Sequence, residues 1–87
     1  MPKVDIYTTP FCPFCYAAKK LLARKGVSFT EIDVMMKPAK RREMTERANG
    51  ASTVPQIFID GEHLGDCDEL LWLDGEGTLD AKLALEA

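Results

Sequence analysis

One stretch near the start of the chain leaves few folds open. Lys3 to Thr8 reads as a strand, with Val4, Ile6 and Tyr7 as β-formers and a Thr-Pro turn signal close behind. Pro13 suits the first position of a helix, where its missing N–H costs nothing. Ala17, Ala18, Leu21 and Leu22 then recur at helical spacing. Lys19, Lys20, Arg24 and Lys25 favour the C-terminal half, as the helix dipole prefers, and Gly26 is a natural stop. Val27 to Val34 returns to a strand. Two strands joined through one helix form a right-handed parallel crossover.

The remainder extends that unit. Lys37 to Ala48 reads as a second helix, with Pro38 near its start, Met44 and Ala48 as a short apolar stripe, and Asn49-Gly50 at its end. Gln56 to Asp60 is a third strand. Asp60-Gly61 is a strong hairpin signal, so His63-Leu64 should return as a short fourth strand. A third helix starts at Asp66 or Cys67 and runs through Leu70, Leu71 and Leu73, until Asp74-Gly75-Glu76-Gly77 breaks it. Leu79, Leu83 and Leu85 outline a last short helix. The order β-α-β-α-β-β-α-α predicts an α/β fold in one domain over residues 1–87: a four-stranded mixed sheet with helices on its faces.

Composition bounds what such a domain does. An 87-residue chain buries only about 60–65% of its unfolded surface. With 46% hydrophobic and 29% charged residues, disorder is not expected. A net charge of −3 points to neither nucleic acid nor an anionic membrane. No apolar run approaches the roughly 20 residues of a membrane span, and Asp5 falls where a signal peptide needs its apolar centre. The expected setting is therefore the cytoplasm, a reducing compartment.

Three cysteines are too few for a disulfide scaffold, and their number is odd. Two of them form Cys12-Pro13-Phe14-Cys15. In a reducing compartment this spacing means a catalytic pair, half of a metal site or chance; a permanent bridge is not expected there. Zinc wants four ligands, for which Cys67 and His63 are the remaining candidates, but structural zinc sites usually repeat the close pair. Redox chemistry suits the position better. Cys12 follows a strand and a turn and precedes Pro13, which puts it at or next to the N-cap of the first helix. Free backbone N–H groups and the positive dipole end face its sulfur there and favour the nucleophilic thiolate. Cys15 lies about one helical turn on, within reach of Cys12, and should be the more buried partner. Lys19, further along, adds little.

Two further motifs carry two readings each. Thr53-Val54-Pro55 stands just before the third strand. Its proline is either an ordinary trans residue at a strand start or part of a cis bond. The cis form would expose the N–H and C=O of Val54 to an extended substrate backbone. Gly65-Asp66-Cys67-Asp68 precedes the third helix. Asp66 or Asp68 is either a plain helix cap or part of a grip on a zwitterion: a carboxylate on the amides of Cys67 and Asp68, an ammonium on the Asp68 carboxylate.

Taken together, Tyr7-Thr8 leading to Cys12-Pro13-Phe14-Cys15, then Thr53-Val54-Pro55-Gln56-Ile57-Phe58-Ile59, then Gly65-Asp66-Cys67-Asp68 resemble the glutaredoxin family in order and spacing, over essentially the whole chain. The resemblance implies a thioredoxin-like fold, a cis Val54-Pro55 bond and glutathione as co-substrate, with no permanently bound cofactor or metal. It implies Cys12 as nucleophile and Cys15 as resolving partner. It also implies a glutathione site made by Phe14, Thr53, Val54, Pro55, Gly65, Cys67 and Asp68, in which the Val54 backbone pairs with the glutathione cysteine. Partners would be glutathione and glutathionylated or disulfide-containing proteins, with the chain acting as a monomer. Three departures stand out. Phe14 replaces the usual tyrosine, Thr9 stands where a basic residue is usual, and Ala51-Ser52 occupy another commonly basic stretch. The glycine carboxylate of glutathione would then fall to Lys37, Arg41 or Arg42. Two alternatives remain: a redoxin fed by thioredoxin reductase, and a [2Fe–2S] cluster-binding module, which Pro13 disfavours.

Other residues read as structural. The Cys67 side chain is expected to pack as a small hydrophobe with only its amide functional. His63 is expected at a surface or edge, and Leu70, Leu71, Trp72 and Leu73 in core or helix packing. Met35-Met36 should fill a loop beside the sheet. The basic run Lys37 to Arg42 should be a solvated helix face.

Overall fold

The computed structural model describes residues 2–84. Strand β1 (Val4–Thr8) leads into helix α1 (Pro13–Arg24), strand β2 (Thr30–Asp33) and helix α2 (Pro38–Arg47). Strands β3 (Gln56–Ile59) and β4 (Glu62–Gly65) follow, then helices α3 (Cys67–Gly75) and α4 (Thr78–Lys82). The sheet order is β2-β1-β3-β4; β1 pairs parallel with β2 and antiparallel with β3, and β3 pairs antiparallel with β4. This is the expected thioredoxin-like α/β architecture with its mixed four-stranded sheet.

The two central strands are covered on both faces, and their residues alternate between two cores. Val4, Ile6 and Ile57 join Leu21, Leu22, Leu70, Leu79 and Leu83 on the face covered by α1, α3 and α4. Tyr7 and Phe58 join Val34, Met44 and Ala48 on the face covered by α2. The second core is small, and polar contacts reinforce it. The Tyr7 hydroxyl donates to Glu43 Oε2 at 2.8 Å and accepts from Arg47 Nη1 at 2.6 Å, while the Arg47 guanidinium lies 4.3 Å from the Phe58 ring centroid. Burial, ahead of the bond to Glu43, raises the Tyr7 pKa above its ordinary value.

Turn chemistry closes the elements where expected. Asp60 and Gly61 both have positive φ, as a two-residue hairpin of the primed type requires. The Asp60 carboxylate also accepts from the Lys3 amide at 2.8 Å, tying the hairpin to the start of β1. Asn49 and Gly50 end α2 with positive φ.

Four expectations need correction. The second strand begins at Thr30 rather than Val27. The Val27 amide is drawn back to the Leu22 carbonyl as α1 closes, and the side chain is buried in the core beneath that helix. Trp72 and Leu71 are not core residues: Trp72 is 59% exposed and Leu71 is exposed too. Cys67, Leu70 and Leu73 take the inward face at three-residue spacing, which turns their neighbours outward. Met36 is 93% exposed, on a positive-φ turn, and fills nothing. Leu85 lies outside the described residues.

Candidate active site

Where β1 gives way to α1, Cys12 is the N-cap, with extended backbone (φ −103°, ψ 110°), and Pro13 begins the helix. The Cys12 Sγ accepts the Cys15 amide at 3.2 Å, and its carbonyl accepts the Tyr16 amide at 3.0 Å. The sulfur thus does for this helix what a serine or aspartate oxygen usually does. Phe11, just before it, has a positive φ of 63° and points almost wholly into solvent. Cys12 is half-buried and Cys15 buried, both as free thiols.

Burial separates the two sulfurs chemically. The Cys15 thiol is pushed up to about 12, by burial first and by its hydrogen bond to Cys12 second. Cys67 is also buried in the main core. Burial raises its pKa, and the nearby Asp68 and Asp66 carboxylates raise it further. It packs as the small hydrophobe the sequence suggested.

Phe14, Thr53, Val54, Pro55, Asp66, Cys67 and Asp68 line one groove of about 290 Å³. Three separate segments contribute: the first turn of α1, the loop before β3 and the start of α3. The Val54-Pro55 bond is cis. Among the described residues, the Val54 N–H and C=O have no backbone partner. Asp66 is the N-cap of α3, its Oδ1 accepting the Glu69 amide at 3.0 Å. The Asp68 carboxylate forms no hydrogen bond or ion pair with any described residue. Capping therefore falls to Asp66, which leaves the Asp68 carboxylate free.

Gly65 does not line this groove; it borders the adjoining depression. Its φ is +135°, and a Cβ there would lie 2.7 Å from Glu69 Cβ. The close approach that glycine permits is thus to the first turn of α3.

Cys12 itself lines a larger groove of about 760 Å³, together with Phe11, Tyr16, Lys19 and Glu31. Glu31 accepts from Lys19 at 2.9 Å and from Thr8 Oγ1 at 2.6 Å, and these bonds hold its carboxyl below the usual range, the Lys19 bond contributing most. Lys19 is thereby occupied by a carboxylate rather than by a thiol.

Sequence reasoning missed the support behind the loop. Arg41 uses Nε and Nη2 on the Ser52 carbonyl, at 3.2 and 2.8 Å, strapping α2 to the segment that precedes Thr53. The run of basic residues on α2 was a visible signal, but not this use of it. Among the described residues, no group of three His, Cys, Asp or Glu side chains is placed to hold a metal ion, and no helix is long and apolar enough to cross a membrane.

The chain resembles known proteins along nearly its whole length. The glutaredoxin family model matches residues 4–64. Glutaredoxin 3 of Escherichia coli K12 is 53% identical over 83 residues, covering 95% of this chain and 99% of that one. The solution structure of a glutaredoxin from Brucella melitensis superposes with a TM-score of 0.83 at 54% identity, covering 95% of this chain and 89% of that one. The crystal structure of a buckwheat glutaredoxin–glutathione complex superposes with a TM-score of 0.87 at 26% identity, covering 95% of this chain and 77% of that one.

Proposed function

The chain belongs to the glutaredoxin family and is a thiol–disulfide oxidoreductase; from that premise we propose that it works with glutathione, reducing protein–glutathione mixed disulfides and protein disulfides through Cys12 and Cys15. The observation that carries the reading is a groove that starts at Phe14, two residues past the half-exposed Cys12, and has three kinds of recognition group. These are the unpaired backbone of Val54, the start of a nine-residue helix at Cys67 and the free carboxylate of Asp68. The buckwheat relative's glutathione complex supports it.

In this reading the glutathione backbone pairs with Val54 as an added strand. The γ-glutamyl carboxylate takes the amides of Cys67 and Asp68, and its ammonium takes the Asp68 carboxylate. Phe14, Thr53 and Pro55 complete the walls, while Gly65 acts from behind by letting α3 start where it does.

The Cys12 thiolate attacks the glutathione sulfur of a mixed disulfide. The protein sulfur leaves with the bonding electron pair and is protonated, and Cys12 becomes linked to glutathione. The thiolate of a second glutathione attacks the bound glutathione sulfur, releasing glutathione disulfide and the Cys12 thiolate. With a protein disulfide, Cys12 attacks one sulfur and the other leaves as a thiolate. Cys15 then loses its proton and attacks Cys12 Sγ, expelling the second protein thiolate and leaving a Cys12–Cys15 disulfide that two glutathiones reduce, yielding glutathione disulfide. The high Cys15 pKa keeps it protonated until then. Once Cys12 is in a disulfide, one of the causes of that high value is gone. One copy of the chain supplies every group used, so a monomer suffices. Glutathione is a co-substrate rather than a resident cofactor, and the reaction belongs in a reducing compartment such as the cytoplasm.

Turnover of a small glutathione mixed disulfide, coupled to glutathione reductase, tests the reading. The wild-type protein and Cys15→Ser should turn over and Cys12→Ser should not, while reduction of a protein disulfide should need both cysteines. Turnover with thioredoxin reductase but not with glutathione would overturn glutathione dependence; activity in Cys12→Ser would overturn the nucleophile.

A further inference from the structure

Two polar side chains behind the groove have no part in the chemistry above. Gln56 opens β3 and is 2% exposed. Burying a side-chain amide is costly unless hydrogen bonds replace the lost water. Here they do: Nε2 donates to the Thr53 carbonyl at 3.0 Å and to Thr53 Oγ1 at 3.3 Å, and Oε1 lies 2.7 Å from His63 Nε2 on β4.

The atoms themselves settle where the hydrogens are. A carbonyl oxygen only accepts, so the Gln56 atom facing the Thr53 carbonyl is the amide nitrogen. That turns Oε1 toward His63. Oε1 carries no hydrogen, so Nε2 of His63 must carry one and donate it. Thr53 Oγ1 accepts from Gln56 and keeps its own hydrogen for another acceptor. Thr53 stands on the rim shared by the groove of Phe14, Val54 and Asp68 and the depression where His63 lies. Donation therefore runs in one direction, from the edge strand through a buried amide to the groove.

We infer that Gln56 and His63 are positioning residues for the tripeptide: they hold Thr53 by its carbonyl and present its hydroxyl hydrogen to an acceptor oxygen of glutathione bound along Val54. The inference rests on the glutathione reading. Neither residue touches the reacting sulfurs, so binding is affected and the chemical step is not. Within a chain of hydrogen bonds, each donor strengthens the next.

His63 allows a test that separates this role from packing, because its ring also stacks at a tilt on Phe58, with centroids 5.1 Å apart. His63→Gln keeps a donor at the reach of Nε2 and loses the ring. His63→Phe keeps a ring and loses the donor. With a small glutathione mixed disulfide, His63→Phe should raise KM roughly three- to tenfold, the worth of about one hydrogen bond, with kcat within about twofold. His63→Gln should stay near wild type. Gln56→Met, which removes both donors to Thr53 at similar size, should raise KM at least as much as His63→Phe. The rate of Cys12 alkylation by iodoacetamide, which uses no groove, should be unchanged in all three. The opposite order, with His63→Phe normal and His63→Gln impaired, makes the role one of packing and overturns the inference. So does an unchanged KM in Gln56→Met. A wild-type protein without glutathione-dependent turnover would instead overturn the reading beneath it.

Discussion

Cys12 and Cys15 sit within one helical turn, yet they should behave as very different nucleophiles. Cys15 ionises near 12 rather than at the ordinary 9.0. At pH 7 its thiolate fraction is then about one in a hundred thousand, against about one in a hundred for an unperturbed thiol, a loss of roughly a thousandfold. A more basic thiolate attacks faster, and a Brønsted slope of about 0.4–0.5 returns roughly 25-fold of that. The net expectation is alkylation about fortyfold slower than for an ordinary exposed thiol, before the near-complete burial of Cys15 slows it further. Reduced protein treated with iodoacetamide at pH 7 should therefore gain one adduct, which fragment masses place on Cys12. Labelling of Cys15 should rise about tenfold per pH unit from 7 toward 11, because its folded value lies above that range. Equal labelling of both cysteines at pH 7, or a Cys15 plateau near pH 9, would refute the argument that burial and the Cys12 bond hold this thiol protonated.

Two stability predictions follow from contacts on either face of the sheet. Tyr7→Phe removes a hydroxyl that bridges Glu43 and Arg47; it should cost about 1–3 kcal/mol and lower Tm by roughly 4–8 °C per kcal/mol, so an unchanged melt would show the bridge to be idle. Gly65→Ala combines a φ of +135° with a Cβ 2.7 Å from Glu69 Cβ. It should cost about 1–3 kcal/mol and, by displacing the start of α3, weaken glutathione binding by calorimetry, whereas wild-type affinity would mean that α3 is not positioned through this glycine.

Much of the fold was legible because its signals are local. The strand–turn–proline–helix run around Cys12 depends on backbone preferences within a few residues, as do the Asp60-Gly61 hairpin and the Asn49-Gly50 stop, and all three are observed. The N-cap position of Cys12 belongs to the same class. Trp72, Leu71 and Met36 are exposed against their sequence pattern, because apolarity says that a side chain gains by burial, not that a neighbour is present to bury it. The second strand starts later than its sequence pattern suggests, although Val27 and Phe29 carry a strand-like alternation. The turn after α1 takes the Val27 amide instead, and only pairing with β1 from Thr30 onward makes a ladder.

Local physics thus wrote the order of elements, the cysteine pair at the start of α1 and the glycines and prolines that punctuate them into residues a few places apart. The tertiary structure alone decided which of Asp66 and Asp68 caps α3, the close approach of Gly65 to Glu69, the Arg41 strap on Ser52 and the path from His63 through Gln56 to Thr53. Each of these depends on hydrogen bonds or contacts of about 3 Å, a range at which partners cannot be read from spacing along the chain. They come within reach only when the sheet order and both cores have been formed.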